Sequence, residues 1–226
     1  MSELKPVEPV TLVTDLILAI EGFLFALFLI FYWTKKVNKK DKPTLMWIGG
    51  FLSVGFFALF GALSHGTEYV MISEILWPPT MVFGGISFIF FVAGTMIYQK
   101  EENYGKMLLI PVVLVLIYLI VGFLINWPFF IWVLLLLVCS VLIYFYAFKA
   151  KKENKLLSRY LFWGLTIIII AGIVQGIGGI IGYRTYFGPN NQYLFTPHND
   201  IFHIIAMVGL LIFFVGFRRE LFRKSV

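Results

Sequence analysis

The sequence has few charged residues, a single cysteine and three histidines among its 226 residues. Charged residues make up 13% of the chain, against about 25% in an average soluble domain. Hydrophobic residues make up 60%, which excludes a soluble globular protein. Because Cys139 is the lone cysteine, the chain holds no internal disulfide framework, and we expect that thiol to serve in packing.

The hydrophobic residues fall in seven long blocks, and a hydrocarbon core needs about 20 of them to be crossed. A chain in lipid must satisfy its own backbone hydrogen bonds, so the blocks predict helices. The first is too long and too acidic for a cleaved signal, and we expect it to be retained. The sequence thus predicts an all-α integral membrane protein, one seven-helix bundle over residues 1–226. Its helices cover residues 10–33, 44–65, 75–98, 107–125, 128–148, 157–183 and 199–217.

Positive charge is scarce on one side of this predicted bundle. Of the 18 Lys and Arg residues, 16 follow helices 1, 3, 5 and 7, and only Lys5 and Arg184 lie on the other side. Basic residues concentrate on the cytoplasmic side of membrane proteins, so we expect the N-terminus outside and the C-terminus in the cytoplasm. The pattern predicts the plasma membrane, with membrane lipids as partners and no nucleic-acid surface.

All three histidines lie at the predicted outer ends of helices. His65 ends helix 2, and His198 and His203 begin helix 7 within the stretch TPHNDIFH. In that stretch Asp200 and His203 are one turn apart on one face, whereas His198 lies about 140° from His203. These residues either cap and solvate the helix end, with Thr196 as N-cap, or deliver ligands towards His65.

A few ionisable and amide side chains also lie within the predicted spans, where they are costly and usually mark a site or an internal pair. Glu21 is near the middle of helix 1, and Thr14 lies two turns away on the same face. Asp15 and Gln175 lie in the outer halves of helices 1 and 6. We expect Glu21 to face the bundle interior, either as a neutral hydrogen-bonding group or as a carboxylate that transfers protons or binds a ligand.

The histidines also suit zinc, which takes three or four nitrogen, oxygen or sulfur ligands. His65 and His203, with either His198 or Asp200, would supply three of them. A nearby carboxylate could orient a ligand or act as a base on bound water. The sequence thus predicts zinc as a cofactor, held by His65, His203 and His198.

The segments ALSHG and HNDIFH resemble the superfamily of alkaline ceramidases and progestin/adiponectin receptors. That family binds zinc through one histidine ending helix 2 and two beginning helix 7, which His65 and His203 match in part. The resemblance covers the whole chain in topology and these two segments in motif. It implies an outward-facing, zinc-dependent hydrolase of a lipid amide or ester, with Ser64, Asp200 or Glu21 assisting proton transfer.

Two other function classes remain open. One is a non-enzymatic receptor, sensor or transporter that binds a small ligand in an outer pocket. The other is a haem-binding electron carrier with His65 and His203 as axial ligands. No lysine lies between residues 199 and 217, which excludes a retinal Schiff base on helix 7.

Glycine and proline add two structural expectations. Helix 6 carries glycines at a spacing that lets helices approach closely, which indicates packing within the bundle or a homodimer face. These glycines are Gly172, Gly176, Gly178, Gly179 and Gly182. Pro78 and Pro79 are expected in the first turn of helix 3, where a missing N–H costs little.

The charge distribution makes a testable prediction about topology. We expect Ser2→Cys to react with a membrane-impermeant thiol reagent in intact cells, and Asn38→Cys only after permeabilisation. The reason is that the basic cluster of residues 35–42 should lie inside. The wild-type chain, with Cys139 alone, gives the background. Labelling of position 38 in intact cells would reverse the orientation.

Overall fold

The computed structural model describes residues 4–36, 41–99, 104–125, 129–150 and 155–224. These residues form seven helices and one short β-hairpin. Six of the helices are long and apolar enough to cross a membrane, and the described apolar part of the fifth, Leu137–Lys149, is shorter. The predicted helical bundle is confirmed at this level. The elements are α1 (Pro9–Lys36), α2 (Lys42–Gly66), α3 (Val70–Tyr98), α4 (Tyr104–Ile125), α5 (Phe129–Ala150), α6 (Lys155–Ile181), β1 (Thr185–Phe187), β2 (Tyr193–Phe195) and α7 (Pro197–Lys224).

Six helices form a closed ring, and the seventh packs outside it. Around the ring the contacts run α1, α2, α3, α5, α6 and α7, and α7 returns to α1. Helix α4 packs against α3 and α5 from outside. Because successive helices alternate in direction, α1, α3 and α7 begin where α2 and α6 end. All three histidines lie at this end of the bundle, which we call the histidine end.

The start of α3 corrects one expectation. The helix begins at Val70, two turns before the prolines, so Pro78 and Pro79 lie in its interior and not in its first turn. A proline leaves the carbonyl four residues earlier without its helical donor, here those of Glu74 and Ile75. Both of these residues are exposed, so their carbonyls can find partners outside the bundle. That exposure explains why the helix tolerates the two prolines.

The glycines of α6 have different surroundings. A Cβ on Gly178 would collide with the side chain of His198, so this glycine lets α7 begin directly against α6. A Cβ on Gly176 or Gly179 would meet no atom within 4 Å. Gly182 has a φ of +67°, a conformation that favours glycine and commonly ends a helix. Packing within the bundle is therefore observed at Gly178, and the homodimer face stays a prediction.

Glu21 lies at the edge of the packed face of α1 and is half-buried. Its Oε2 atom is buried and has no hydrogen-bond partner within the described residues. At the next residue, Gly22, α1 packs tightly against α2, since a Cβ there would lie 2.8 Å from the amide nitrogen of Gly55. One oxygen of Glu21 is thus turned towards protein, although the side chain as a whole is not enclosed.

The N-terminal residues 4–8, which we call the strap, tie the loops of the histidine end together. The amide of Lys5 donates to the carbonyl of Glu68 at 2.8 Å, between α2 and α3. Val7 joins the β-hairpin, because its carbonyl accepts from the amide of Leu194 at 2.8 Å. The predicted outer loop of residues 184–198 therefore includes a hairpin of β1 and β2, with a 3₁₀ turn between the strands. The strap holds this hairpin against the end of the bundle.

Glu8 is the side chain that fixes the strap to the helices. Its Oε1 lies 3.1 Å from Nδ1 of His65, and its Oε2 accepts from the hydroxyl of Thr196 at 2.8 Å. Burial alone would raise the pKa of Glu8. The contacts with His65 and Thr196, and the charge of Lys5, outweigh burial and hold that pKa below its usual value. The carboxylate form of Glu8 thus links the strap to α2 and α7.

Replacing Glu8 by Gln should therefore destabilise the fold in a pH-dependent way. A carboxyl whose pKa is lowered by folding contributes stability above its unfolded pKa and loses it as the pH falls through the folded value. Near neutral pH we expect Glu8→Gln to lower the free energy of unfolding by about 1–3 kcal/mol. The difference from wild type should narrow as the pH falls below 4.5, the ordinary pKa of this carboxyl.

The measurement is denaturant unfolding of the purified protein in detergent across this pH range. Glu68→Gln is the matched control, because Glu68 is an exposed acid in the loop that the strap contacts. It should unfold like wild type. A difference between Glu8→Gln and wild type that stays constant with pH would contradict a role for the Glu8 charge.

Candidate functional site

Helix α1 presents three polar side chains to α7 at the histidine end. Thr11, Thr14 and Asp15 are spaced three and four residues apart, which places them on one helix face. All three are buried, and Asp15 is only 2% exposed. Buried polar groups need partners, because an unsatisfied one costs about 1–3 kcal/mol. The first turns of α7 supply these partners.

His203 is held between two of these residues by both nitrogens of its ring. Nδ1 lies 2.9 Å from Oγ1 of Thr14, and Nε2 lies 3.1 Å from Oδ1 of Asp15. The Thr14 hydroxyl donates to the carbonyl of Thr11 at 3.1 Å, so its oxygen is left to accept from Nδ1–H of His203. A second proton can then lie between Nε2 of His203 and Oδ1 of Asp15, bound either to the imidazole or to the carboxylate.

Asp200 is bound in a second group of contacts, beside the His203 pair. Its Oδ1 accepts from the hydroxyl of Thr11 at 2.9 Å. The Thr196 hydroxyl lies 3.1 Å from that of Thr11 and donates to Glu8. Thr196 thus precedes α7 as predicted, and its hydroxyl binds the strap. Two threonine hydroxyls serve two carboxylates here, which fastens α7 to α1 and to the strap.

A cavity of about 390 Å³ opens beside these contacts, inside the ring of helices. The three histidines and Asp15 all border it, although they come from three different helices. Polar side chains of α6 and of the segment after it face them from the other wall. Its lining consists of Asp15, Phe57, Gly61, His65, Trp77, Thr80, Met81, Gln175, Gly176, Gly179, Ile180, Arg184, His198, Asn199, Phe202 and His203.

Four residues of this lining carry polar atoms that are buried and lack a hydrogen-bond partner in the described part of the chain. They are Oδ2 of Asp15, Nδ1 of His65, Oε1 of Gln175 and Nδ1 of His198, and of these Nδ1 of His65 lies 3.1 Å from Oε1 of Glu8. Oδ2 of Asp15 faces Gly61, whose Cβ would lie 3.2 Å away, and Nε2 of Gln175 donates to Asn199 at 3.3 Å. A bound molecule or water would find polar groups in this cavity that no protein group occupies.

The structure brings some of the predicted site residues together and separates others. His65, His198 and His203 border one cavity. Asp200 does not line it, because its carboxylate turns towards Thr11. Ser64 lies outside the lining as well, since its hydroxyl pairs with that of Ser73 at 2.8 Å.

Glu21 is absent from the lining too, about 9 Å deeper along α1 than Asp15 at the helical rise per residue. The sequence-based reasoning left out Glu8, Thr11 and Asp15 as site residues. The spacing of Thr11, Thr14 and Asp15 could have predicted their role, because polar residues at this spacing on an apolar helix indicate a buried polar face.

The residues at the cavity do not assemble a zinc site as they stand. Within the described ranges, no group of three or more His, Cys, Asp or Glu side chains is close enough to hold a metal ion. Both nitrogens of His203 are engaged by Thr14 and Asp15, so neither is free to coordinate. The same two contacts leave neither nitrogen of His203 free to serve as an axial ligand of haem. Zinc and haem binding therefore stay predictions that require His203 to exchange a contact.

Comparison with known proteins identifies a family whose function is unknown. No curated protein and no solved structure matches the chain. A family described only as of unknown function, DUF6962, matches residues 10–221, which include all seven helices apart from the ends of α1 and α7. The chain belongs to this family.

Proposed function

We propose that this protein binds a small amphipathic molecule at the outer face of the plasma membrane, as a receptor, sensor or transporter does. The observation that carries the proposal is that the polar cavity borders a second, apolar one. The second cavity measures about 60 Å³ and shares Phe57 and Phe202 with the first. A polar group would lie among the histidines, and an apolar group would pass these two rings.

The composition of the second cavity suits the apolar part of such a molecule. Its side chains are hydrophobic apart from Ser87, whose hydroxyl donates to the carbonyl of Gly84 at 2.7 Å. Burying a methylene group in such surroundings contributes about 0.8 kcal/mol. Each carbon that enters the space beyond Phe57 and Phe202 would thus add affinity. This gradient from polar to apolar favours an amphiphile over a sugar or an ion.

The charge distribution supports an outward site. Among the basic residues that the structure describes, only Lys5 and Arg184 lie at the histidine end, which supports an orientation with this end outside the cell. A molecule would then reach the cavity from the outer medium or from the outer leaflet. The Asp15–His203 pair can donate or accept a proton at the cavity wall, which would let the site bind groups of either hydrogen-bonding type.

A second candidate function is the zinc-dependent hydrolase of a lipid amide or ester. The observation that favours it is that all three histidines border the cavity where an ester or amide of an amphiphile would lie. His65 and His203 would be the main ligands and His198 a weaker third one, and His203 would have to exchange Thr14 or Asp15 for the metal. Zinc would supply a polarising centre for the carbonyl.

Filling the cavity should weaken binding strongly without disturbing the fold. Gly179 lines the cavity and has no atom near its missing Cβ, so Gly179→Leu places a side chain in the ligand space. We expect it to weaken the binding of dodecan-1-ol and dodecanoate at least tenfold, about 1.4 kcal/mol. The measurement is equilibrium binding of the isotope-labelled compounds to protein in nanodiscs of phosphatidylcholine.

Gly105→Leu is the matched control for this experiment. Gly105 is an exposed helical glycine near the start of α4, it also lacks neighbours within 4 Å, and it lies outside the cavity. Both substitutions should keep the unfolding temperature or raise it, because leucine favours a helix over glycine by up to about 1 kcal/mol. Equal binding by the Gly179→Leu and wild-type proteins would rule out this cavity as the ligand site.

The hydrolase candidate makes its own prediction about metal. It requires about one zinc per chain by elemental analysis, the minimum for one catalytic site. His65→Ala and His203→Ala should lose most of this zinc, and His198→Ala less, because its position on the helix is poorer for the same ion. A wild-type protein without zinc after purification in zinc-containing medium would rule out this candidate and leave the binding proposal intact.

A further inference from the structure

We infer that the molecule bound in the cavity carries an anionic group, a carboxylate or a phosphate, which Arg184 and His198 hold at the rim. This inference rests on the proposed function and names the class of ligand. An anionic amphiphile would place its charged group at the wet edge of the cavity and its chain towards Phe57 and Phe202.

The first observation concerns Arg184. It is the one Lys or Arg among the residues that line the cavity. Its side chain is exposed, and no hydrogen bond or ion pair engages its guanidinium within residues that the structure describes. A guanidinium offers five N–H donors in a planar fork that fits a carboxylate or phosphate with two parallel hydrogen bonds. The rim therefore holds a free cation with the geometry for an oxyanion.

The second observation concerns His198 beside it. Its imidazole lines the same cavity as Arg184. Nδ1 of His198 is buried without a partner, and Gly178 leaves room for this ring against α6. A carboxylate or phosphate at the rim could accept hydrogen bonds from both side chains. The imidazole can donate a hydrogen bond to such an anion from a ring N–H.

The third observation is that the acids of the histidine end leave Arg184 unneutralised. Asp15 is the one carboxylate in the cavity lining, and it lies on α1 with its Oδ1 at His203. The carboxylates of Glu8 and Asp200 turn to the threonine hydroxyls and to His65. The cavity therefore separates its one lining carboxylate, on α1, from the basic rim after α6.

The depth of these groups sets the orientation of the ligand. Arg184 follows the end of α6, whereas the apolar cavity lies farther along the helices. An ionised group left at the rim keeps part of its hydration and avoids the high cost of burying a charge. Oε1 of Gln175, which is an acceptor, cannot bind the anion and is left to a hydroxyl or amide hydrogen of the ligand.

The test compares molecules that share a chain and differ in charge. Dodecanoate, dodecyl phosphate, dodecan-1-ol and dodecylammonium are measured on protein in nanodiscs of phosphatidylcholine, with acetate and inorganic phosphate as chainless anions. We expect the two anionic amphiphiles to bind about tenfold to hundredfold more tightly than the alcohol, the usual strength of hydrogen bonds to a charged group. Dodecylammonium, acetate and inorganic phosphate should bind more weakly still.

Variants of Arg184 test the assignment of the rim. Arg184→Gln should remove the preference for anions and leave the affinity for dodecan-1-ol unchanged. Arg184→Lys keeps the charge without the planar fork, so it should retain part of the preference for anions. Lys5→Gln is the matched control, because it removes a positive charge at the same end from a residue outside the cavity lining. It should keep the anion preference.

The outcomes separate this inference from the proposed function. If the wild-type protein binds alcohol and anion equally, or if Arg184→Gln keeps the preference, the anionic class is wrong and amphiphile binding stands. If acetate or inorganic phosphate binds as tightly as its dodecyl counterpart, the ligand is a free anion and the inference fails. If no dodecyl compound binds, the proposed function itself fails.

Discussion

An imidazole and a carboxylate buried in an apolar helical bundle are tolerated only when each finds a partner, because an isolated charge there costs several kcal/mol. Asp15 and His203 are each at most 5% exposed, and they meet at 3.1 Å. Thr14 completes the contact by fixing the other ring nitrogen at 2.9 Å. The positions of α1 and α7 relative to each other depend on this contact, since a shift by one residue on either helix would leave a buried polar group without its partner.

The rest of the histidine end follows from the same constraint. The first turn of α7 carries Asp200, and its carboxylate needs the hydroxyl of Thr11. Thr196 needs an acceptor for its hydroxyl and finds Glu8, which in turn brings the strap onto His65. The hairpin then pairs with the strap through Val7. Each contact satisfies a group that the previous one buried, so the loops are ordered by hydrogen bonds and not by a hydrophobic core of their own.

The sequence predicted the helices well because length and hydropathy are local properties. Six of the seven predicted helices start within three residues of the observed ones, and the exception is α3. There the two prolines led to a wrong prediction of the helix start. A proline is tolerated inside a helix when the carbonyls that it leaves without donors are exposed, and that exposure depends on the surrounding helices. The clustering of the three histidines also followed from alternating helix directions.

The partners of the polar residues could not be predicted in the same way. Asp200 and Ser64 were chosen as catalytic because of their position near histidines, but their neighbours on other elements, Thr11 and Ser73, bind them away from the cavity. Thr11 and Asp200 are 189 residues apart in sequence. A single sequence gives the type of a polar group and its depth along a helix. Which polar groups keep unused hydrogen-bonding atoms depends on how the helices pack.

The polar groups of this bundle therefore fall into two sets: those bound within the protein, and those left open to a ligand. The side chains that look most like catalytic residues, Asp15 and His203, have most of their hydrogen-bonding capacity used between α1 and α7. Oδ2 of Asp15 lacks a partner within the described residues, and the other open groups lie on the opposite wall, where α6 ends and α7 begins, at Gln175, Arg184 and His198. A ligand gains most where it satisfies groups that the fold has left open, because it breaks no internal hydrogen bond there. On the proposed function, recognition would fall to the α6–α7 wall, and the α1–α7 contacts would hold that wall in place.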